Sequence, residues 1–219
     1  RDRSPSRGLG DVYKRQEETR YYLNGVYFHT VKSDEKNILK AVATDGHRLA
    51  KTELVIASSI EIEGIILPRK FILQLDKILG DFEGKIKIVC SETQVSFEAD
   101  NVVIISKLID GKFPDYEKVI PISNDKFLEV ESEPFFNAID RISTVNQDKT
   151  PTVKLAFDNN SIKIMASSTE SNKGDEEVPA NYTSSPLEIL FNSKYLLDLR
   201  DVLESQNINL ELLNQSSPV

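Results

Sequence analysis

Tryptophan is missing from this chain, cysteine and methionine occur once each, and histidine occurs twice. A single cysteine excludes an internal disulfide framework and suits a reducing compartment. One Cys and two His also fall short of the usual zinc ligand set, so no metal and no other cofactor is expected. Cys90 sits in the alternating stretch Lys85-Ile86-Lys87-Ile88-Val89-Cys90 and is expected to be a buried small hydrophobe. No apolar run approaches the roughly 20 residues needed to span a bilayer. No basic, apolar and small signal pattern opens the chain, so a cytoplasmic protein without a membrane partner is expected. With 28% charged and 39% hydrophobic residues, the 219-residue chain reads as globular, with core enough for one large domain or two modest ones. The net charge of −8 argues globally against a dedicated nucleic-acid binder. Net charge is only a sum, however, and a local basic face can coexist with an acidic exterior.

Residues 1–16 differ in style from the rest. Four of the nine arginines fall there, without helical or strand periodicity, whereas the remainder prefers lysine. The segment reads as a non-native, adapter-derived extension, or alternatively as a disordered basic arm.

An internal repeat is the strongest architectural signal. Ile66-Leu67-Pro68-Arg69-Lys70-Phe71-Ile72-Leu73-Gln74-Leu75 falls over Leu190-Phe191-Asn192-Ser193-Lys194-Tyr195-Leu196-Leu197-Asp198-Leu199 at a constant offset of 124 residues. Each copy reads as strand, turn, amphipathic helix, strand. Pro68 suits a first helical turn, and Asn192 or Ser193 suits an N-cap. Upstream, Lys40-Ala41-Val42-Ala43 matches Lys163-Ile164-Met165-Ala166 more loosely. The expected fold is α+β, in two similar modules over residues 17–115 and 125–219, joined by a linker at 116–124. Phe113, Tyr116, Val119 and Ile120 are too apolar for a free linker, which is expected to pack against both modules. The second module has a further helix, with Ser132 as its cap and Phe135, Ala138, Ile139 and Ile142 on one apolar face. The first module lacks a counterpart after Glu17, and the second stops in mid-strand, so the chain reads as truncated at both ends.

The segment Ala43-Thr44-Asp45-Gly46-His47-Arg48-Leu49-Ala50 carries the densest chemistry. A strand-like run enters a turn that Asp closes through its own side chain and Gly eases with positive φ. A charged and a large aliphatic residue then stand together at a strand end, which suits the gripping of a partner. An ordinary hairpin with a solvated Arg is the alternative on local grounds. An acid–base cluster of Asp45, His47 and Arg48 is disfavoured, because no nucleophile elbow, phosphate-cradling loop or second carboxylate pair accompanies it.

Three motifs in order and register resemble the bacterial sliding clamp, the β subunit of DNA polymerase III. They are Arg20-Tyr21-Tyr22-Leu23-Asn24-Gly25, Ala41 to Ala50, and Ser106-Lys107-Leu108-Ile109-Asp110-Gly111-Lys112-Phe113-Pro114-Asp115-Tyr116. The resemblance covers about residues 17–219 and corresponds to most of that family's middle and C-terminal domains. It implies a non-catalytic processivity factor: a head-to-tail dimeric ring around duplex DNA, with helices lining the channel and antiparallel sheets outside. Double-stranded DNA, bound without sequence preference, and the replicative polymerase and clamp loader, bound through short linear motifs, are the implied partners. Lacking a first domain, this chain is expected to be monomeric.

Carried over by motif, the partner-peptide cleft comprises Leu23, Thr44, Gly46, His47, Arg48, Leu49, Pro114, Lys118 and Val119. Leu23, Leu49, Pro114 and Val119 offer an apolar pocket for an aliphatic or aromatic anchor. Arg48 and His47 suit a peptide backbone or a carboxylate. Lys118 stands where some relatives carry Arg, which removes a bidentate contact. The DNA-channel candidates are Arg20, Lys70, Lys77, Arg141, Lys194 and Arg200, with Arg69 a weaker one. A sliding ring needs phosphate attraction without base readout. The dimer interface would use Thr144 and Val145 with acidic Glu170, Asp175, Glu176 and Glu177. Solvated helix surface and a plain acidic loop are the respective alternatives, and a clamp relative that binds peptides without binding DNA is the rival function.

Overall fold

The structure is a computed structural model that describes residues 21–33, 36–56, 61–145, 150–167, 173–203 and 205–219. The chain divides into two units, one ending at Asp115 and the other running Tyr116–Val219.

In the first unit a short 3-10 turn, Tyr21–Leu23, precedes strands β1 (Gly25–Ser33), β2 (Lys36–Thr44), β3 (Leu49–Ile56) and β4 (Ile65–Pro68). Helix α1 (Arg69–Leu79) follows, then β5 (Lys87–Cys90), β6 (Gln94–Ala99) and β7 (Val102–Lys107). The strands form antiparallel sheets of order β3-β2-β1-β4 and β5-β6-β7. Side chains alternate across a strand, so one face of β1 and β4 presents Phe28, Ile65 and Leu67 to Phe71 of α1 and to Val95 and Phe97 of β6. The Phe71 and Phe97 rings meet edge-on at 5.5 Å. The opposite face, with Tyr27, Val42 and Ile66, is covered as well. Ile109 donates its N–H to the Ile66 carbonyl at 2.9 Å, and Phe113 stacks on Tyr27 with ring centroids 4.8 Å apart. Residues 108–113 thus form a strap across the sheet, which is why this stretch is too apolar for a free linker. Gly25 is required here: a Cβ at that position would lie 2.5 Å from the Leu67 carbonyl oxygen.

The second unit opens with a 3-10 turn, Tyr116–Val119, and continues through β8 (Lys126–Glu131), α2 (Ser132–Ser143), β9 (Thr152–Asp158) and β10 (Ser161–Ser167). It ends with β11 (Lys173–Tyr182), β12 (Leu187–Asn192), α3 (Ser193–Arg200) and β13 (Asn207–Leu212). Its antiparallel sheet runs β12-β9-β10-β11-β8-β13. Residues 173–179 of β11 pair with β10, and residues 180–182 pair with β8. Phe135, Phe136, Ala138, Ile139 and Ile142 of α2 are buried against Val153, Leu155, Phe157, Ile162 and Ile164 of the sheet.

The repeat therefore has a structural counterpart. The order β4-β1-β2-β3 in the first unit equals β12-β9-β10-β11 in the second, and α1 and α3 each leave the edge strand, β4 or β12.

Two local expectations are corrected and one alternative is resolved. Cys90 is exposed. It shares the inward face with Ile88, opposite Val95, but it ends a four-residue strand at a sheet edge, where cover is incomplete. Partial burial still pushes its thiol pKa up. Glu131, and not Ser132, occupies the N-cap of α2; Ser132 is already helical and donates its N–H to the Gln206 carbonyl at 2.8 Å. For α3 the alternatives resolve to Asn192, whose Oδ1 accepts from the Lys194 N–H at 3.0 Å.

Candidate functional site

The turn between β2 and β3 is built from its own side chains. Thr44 and Leu49 close the ladder. Thr44 Oγ1 donates to the Arg48 carbonyl at 2.7 Å and accepts from the Gly46 N–H at 3.1 Å. Asp45 Oδ1 accepts from the N–H groups of His47 (2.9 Å) and Arg48 (3.0 Å), while Oδ2 accepts from Arg48 Nε at 3.0 Å. Gly46 takes φ +88°, a left-handed conformation that a Cβ disfavours. Burial alone would raise the Asp45 pKa. The two N–H bonds and the Arg48 guanidinium outweigh it and hold the carboxyl below its ordinary 3.8. With both oxygens engaged in this way, Asp45 is poorly suited to act as a base.

Other predicted residues collect at the same end of the sheet. Tyr27 pairs with Val42, so the start of β1 runs toward Thr44 and the turn. Leu23 closes the 3-10 turn immediately before β1, and Arg69 donates its N–H to the Asn24 carbonyl at 3.1 Å. The strap passes close by, since a Cβ on Gly111 would meet Tyr21 Oη at 3.4 Å. Pro114 follows Phe113 directly and is exposed. Leu23 and Leu49 are half-buried, while Gly46, His47 and Arg48 are exposed. The first unit alone thus presents a polar turn beside aliphatic side chains. In the second unit, Lys118 and Val119 lie on the 3-10 turn, with Tyr116 buried and Val119 60% exposed.

The cations divide into two groups. Lys70 and Lys77, seven residues apart on one exposed face of α1, and Lys194 on α3 make no ion pair among the described residues. Arg141 on α2 is held by Glu176 of β11 through Nε to Oε2 at 3.1 Å and through a second contact from Nη2 to Oε1. This hydrogen-bonded pairing raises the Arg141 pKa and lowers that of Glu176. Arg200 lies 3.9 Å from Asp140 and 3.7 Å from Asp201. Arg20 lies outside the described residues.

Of the acidic group, Glu176 alone among the described residues is seen to reach α2, through Arg141. Thr144 Oγ1 donates to the Arg141 carbonyl at 2.7 Å, and Val145 packs on the core close to Gly174. Asp175 pairs with Lys163 at 3.1 Å, and Glu177 is exposed. Glu170 lies outside the described residues. The Arg141–Glu176 bond thus joins two residues that motif reasoning assigned to different sites. A hollow of about 450 Å³ opens on the other face of this sheet, bordered by Lys154, Lys163, Met165, Asp175 and Leu190. Of the predicted residues only Asp175 borders it, and lysine–carboxylate pairs, Lys154–Glu188 and Lys163–Asp175, already occupy its rim.

A duplicated α+β module, with a pinned polar turn on one copy, defines a scaffold built by repetition. Residues 12–115 match the family profile described as the DNA polymerase III beta subunit, central domain, and residues 117–219 match that of its C-terminal domain. The chain is 38% identical over 203 residues to the beta sliding clamp of Caulobacter vibrioides, covering 92% of this chain and 55% of that protein. It is 32% identical over 203 residues to that of Escherichia coli K12, covering 93% and 54%. Among solved structures, the DnaN sliding clamp of Bartonella birtlesii bound to griselimycin superposes with a TM-score of 0.86 at 43% identity, covering 92% of this chain and 54% of that one. The pol III beta structure of Caulobacter crescentus gives 0.84 at 38%, covering 92% and 55%. The chain belongs to the bacterial sliding-clamp family, the β subunits of DNA polymerase III. It spans about half the length of the curated relatives it matches.

Proposed function

We propose that this chain is the middle and C-terminal part of a processivity factor. The whole protein encircles duplex DNA without reading its sequence and tethers the replicative polymerase, the clamp loader and other partners through short peptide motifs. It performs no chemistry itself, acts in the cytoplasm, and closes its ring as a homodimer. The observation that carries the reading is the Thr44–Leu49 turn, which shares one end of a sheet with Leu23 in a chain of this family. On the first unit, Leu23, Leu49 and Pro114 would supply apolar anchor surface for the peptide, and His47 and Arg48 the hydrogen-bond donors. The DNA surface would draw on Lys70, Lys77 and Lys194, whose charge no carboxylate offsets among the described residues. A ring-closing edge would use residues 173–179 of β11, which pair with β10 alone among the described strands, flanked by Thr144 and Val145.

Titration with a clamp-binding pentapeptide should shift the amide signals of His47 and Leu49. The Arg48→Ala, Leu49→Ala double variant should bind at least tenfold more weakly. Equal affinity in the double variant and the wild type would remove the cleft from the reading. A peptide-binding relative that does not hold DNA is the second reading, favoured by the carboxylates beside Arg141 and Arg200.

A further inference from the structure

The two sheets correspond residue by residue. In the first, Tyr27 stands between Ile66 of β4 and Val42 of β2. In the second, Lys154 stands between Leu190 of β12 and Met165 of β10. Ile66 and Leu190 each lie three residues before a helix, so this correspondence keeps the 124-residue offset of the sequence repeat. All six side chains lie on the sheet face turned away from the helices. On the first sheet that face is closed. Val42 and Ile66 are buried, Phe113 stacks on Tyr27, and Ile109 donates its N–H to the Ile66 carbonyl. On the second it is open. Leu190 is 68% exposed, and the hollow of about 450 Å³ is bordered by Lys154, Met165 and Leu190, the counterparts of Tyr27, Val42 and Ile66.

The second seat differs from the first in ways that define its occupant. Thr152 pairs with Asn192 as Gly25 pairs with Pro68. A Cβ on Gly25 would lie 3.1 Å from Ile109 Cδ1, so the Thr152 side chain excludes an aliphatic residue placed as Ile109 is. Space remains over Lys154 and Met165, in the place of Phe113. An aromatic ring there would lie against the Met165 thioether and the Lys154 ammonium, which Glu188 holds at 3.1 Å. Three lysines, Lys154, Lys163 and Lys173, border the hollow against one carboxylate, Asp175, in a chain of net charge −8. The local surplus is cationic and favours carboxylates beside the ring. The exposed Lys163–Asp175 pair is weak enough for a second carboxylate to share the lysine. Among the described strands β12 pairs with β9 alone, so its outer edge can bond an extended backbone as β4 bonds Ile109.

We propose that this hollow is a docking seat for an extended, acidic segment of a partner protein that carries one aromatic residue. The ring lies on Lys154 and Met165, the carboxylates face Lys163 and Lys173, and the backbone follows the edge of β12. The seat is separate from the β2–β3 turn and does not depend on the reading of that turn as a peptide site.

Met165 is the one methionine of the chain, so its isotope-labelled methyl gives a single resonance. The probe is the strap sequence itself, residues 108–113 as a capped peptide carrying Lys112→Glu. It should shift that resonance and saturate. The same peptide with Lys112 retained should bind about fivefold more weakly, the scale of an exposed charge pair. Phe113→Ala in the probe should weaken it by about tenfold. Lys154→Gln with Lys173→Gln in the chain should abolish the difference between the two charged probes. The Arg48→Ala, Leu49→Ala variant should bind the probe as the wild type does. A Met165 resonance that does not move, equal binding of all three peptides, or a lost response in the hairpin variant overturns the proposal. So does a full-length subunit whose Met165 methyl, identified through Met165→Leu, does not answer to the probe, because its own chain then fills the seat.

Discussion

The two units share one strand order but differ in how they fill it. In the second unit α2 buries five apolar side chains against the sheet, and α3 adds Leu196. In the first, the described helix α1 fully buries only Phe71, while Leu73 and Ile78 remain exposed. The first unit compensates on its other face, where the strap seats Phe113 on Tyr27 over Val42 and Ile66. Repetition of strand order therefore does not imply repetition of the core. Periodicity sets the sheet, and what packs on it is settled separately in each copy.

The largest effect should come from the second unit's core. Phe136→Ala is expected to lower stability by about 3–5 kcal/mol, because its side chain, on α2, is fully buried in the core against the sheet. Leu73→Ala, on the exposed face of α1, should fall within about 0.5 kcal/mol of wild type. Chemical denaturation with amide exchange resolved by residue would report both. A loss of similar size in the two variants would erase the contrast between the helices.

A smaller effect is expected at the charged helices of the full-length subunit. Lys70→Glu with Lys77→Glu should reduce DNA affinity by roughly tenfold or more and flatten the salt dependence by about two charges. Arg141→Glu with Arg200→Glu should do less, since both arginines already face carboxylates. Affinity measured across a salt series decides this. Matching slopes for the two pairs would show that the ion pairs do not shield the second unit.

The smallest effect concerns turns and acid. The Asp45 carboxyl has a lowered pKa in the folded chain. Its contribution to the hairpin is therefore complete above the unfolded value and is lost as pH falls through the folded one, below 3.8. Amides of His47 and Arg48 should lose protection there. The β9–β10 turn is the comparison, because it relies on Asn159 and Asn160 at positive φ and on Asn160 Oδ1 accepting from the Tyr182 N–H, groups that do not titrate. Its amides should stay protected until the unit as a whole unfolds, and simultaneous loss in both turns would contradict a local origin.

The repeated strand–helix units and the apolar face of α2 were legible because one shows as a constant offset in the sequence and the other follows the period that the helical turn imposes. The hairpin chemistry was legible in part: Thr-Asp-Gly announces a turn, but only geometry shows Asp45 dividing its oxygens between backbone and guanidinium. The Asp45 to Arg48 spacing of three residues was the available signal. No local pattern could reveal the Arg141–Glu176 bond, which depends on β11 running beside the end of α2. Cys90 was misplaced for a related reason. Alternation gives the face of a strand, and it does not say whether anything covers the strand's end.

The strap has a consequence in time. Phe113, which stacks on Tyr27, leaves the ribosome 86 residues after it. Until then the contacts of the strap with Tyr27 and Ile66 cannot form, so this part of the packing of the first unit waits for residues 109–113. Contacts of such sequence separation slow folding and prolong the exposure of apolar surface. Closure of the first unit is thereby tied to synthesis of the residues that lead into the second.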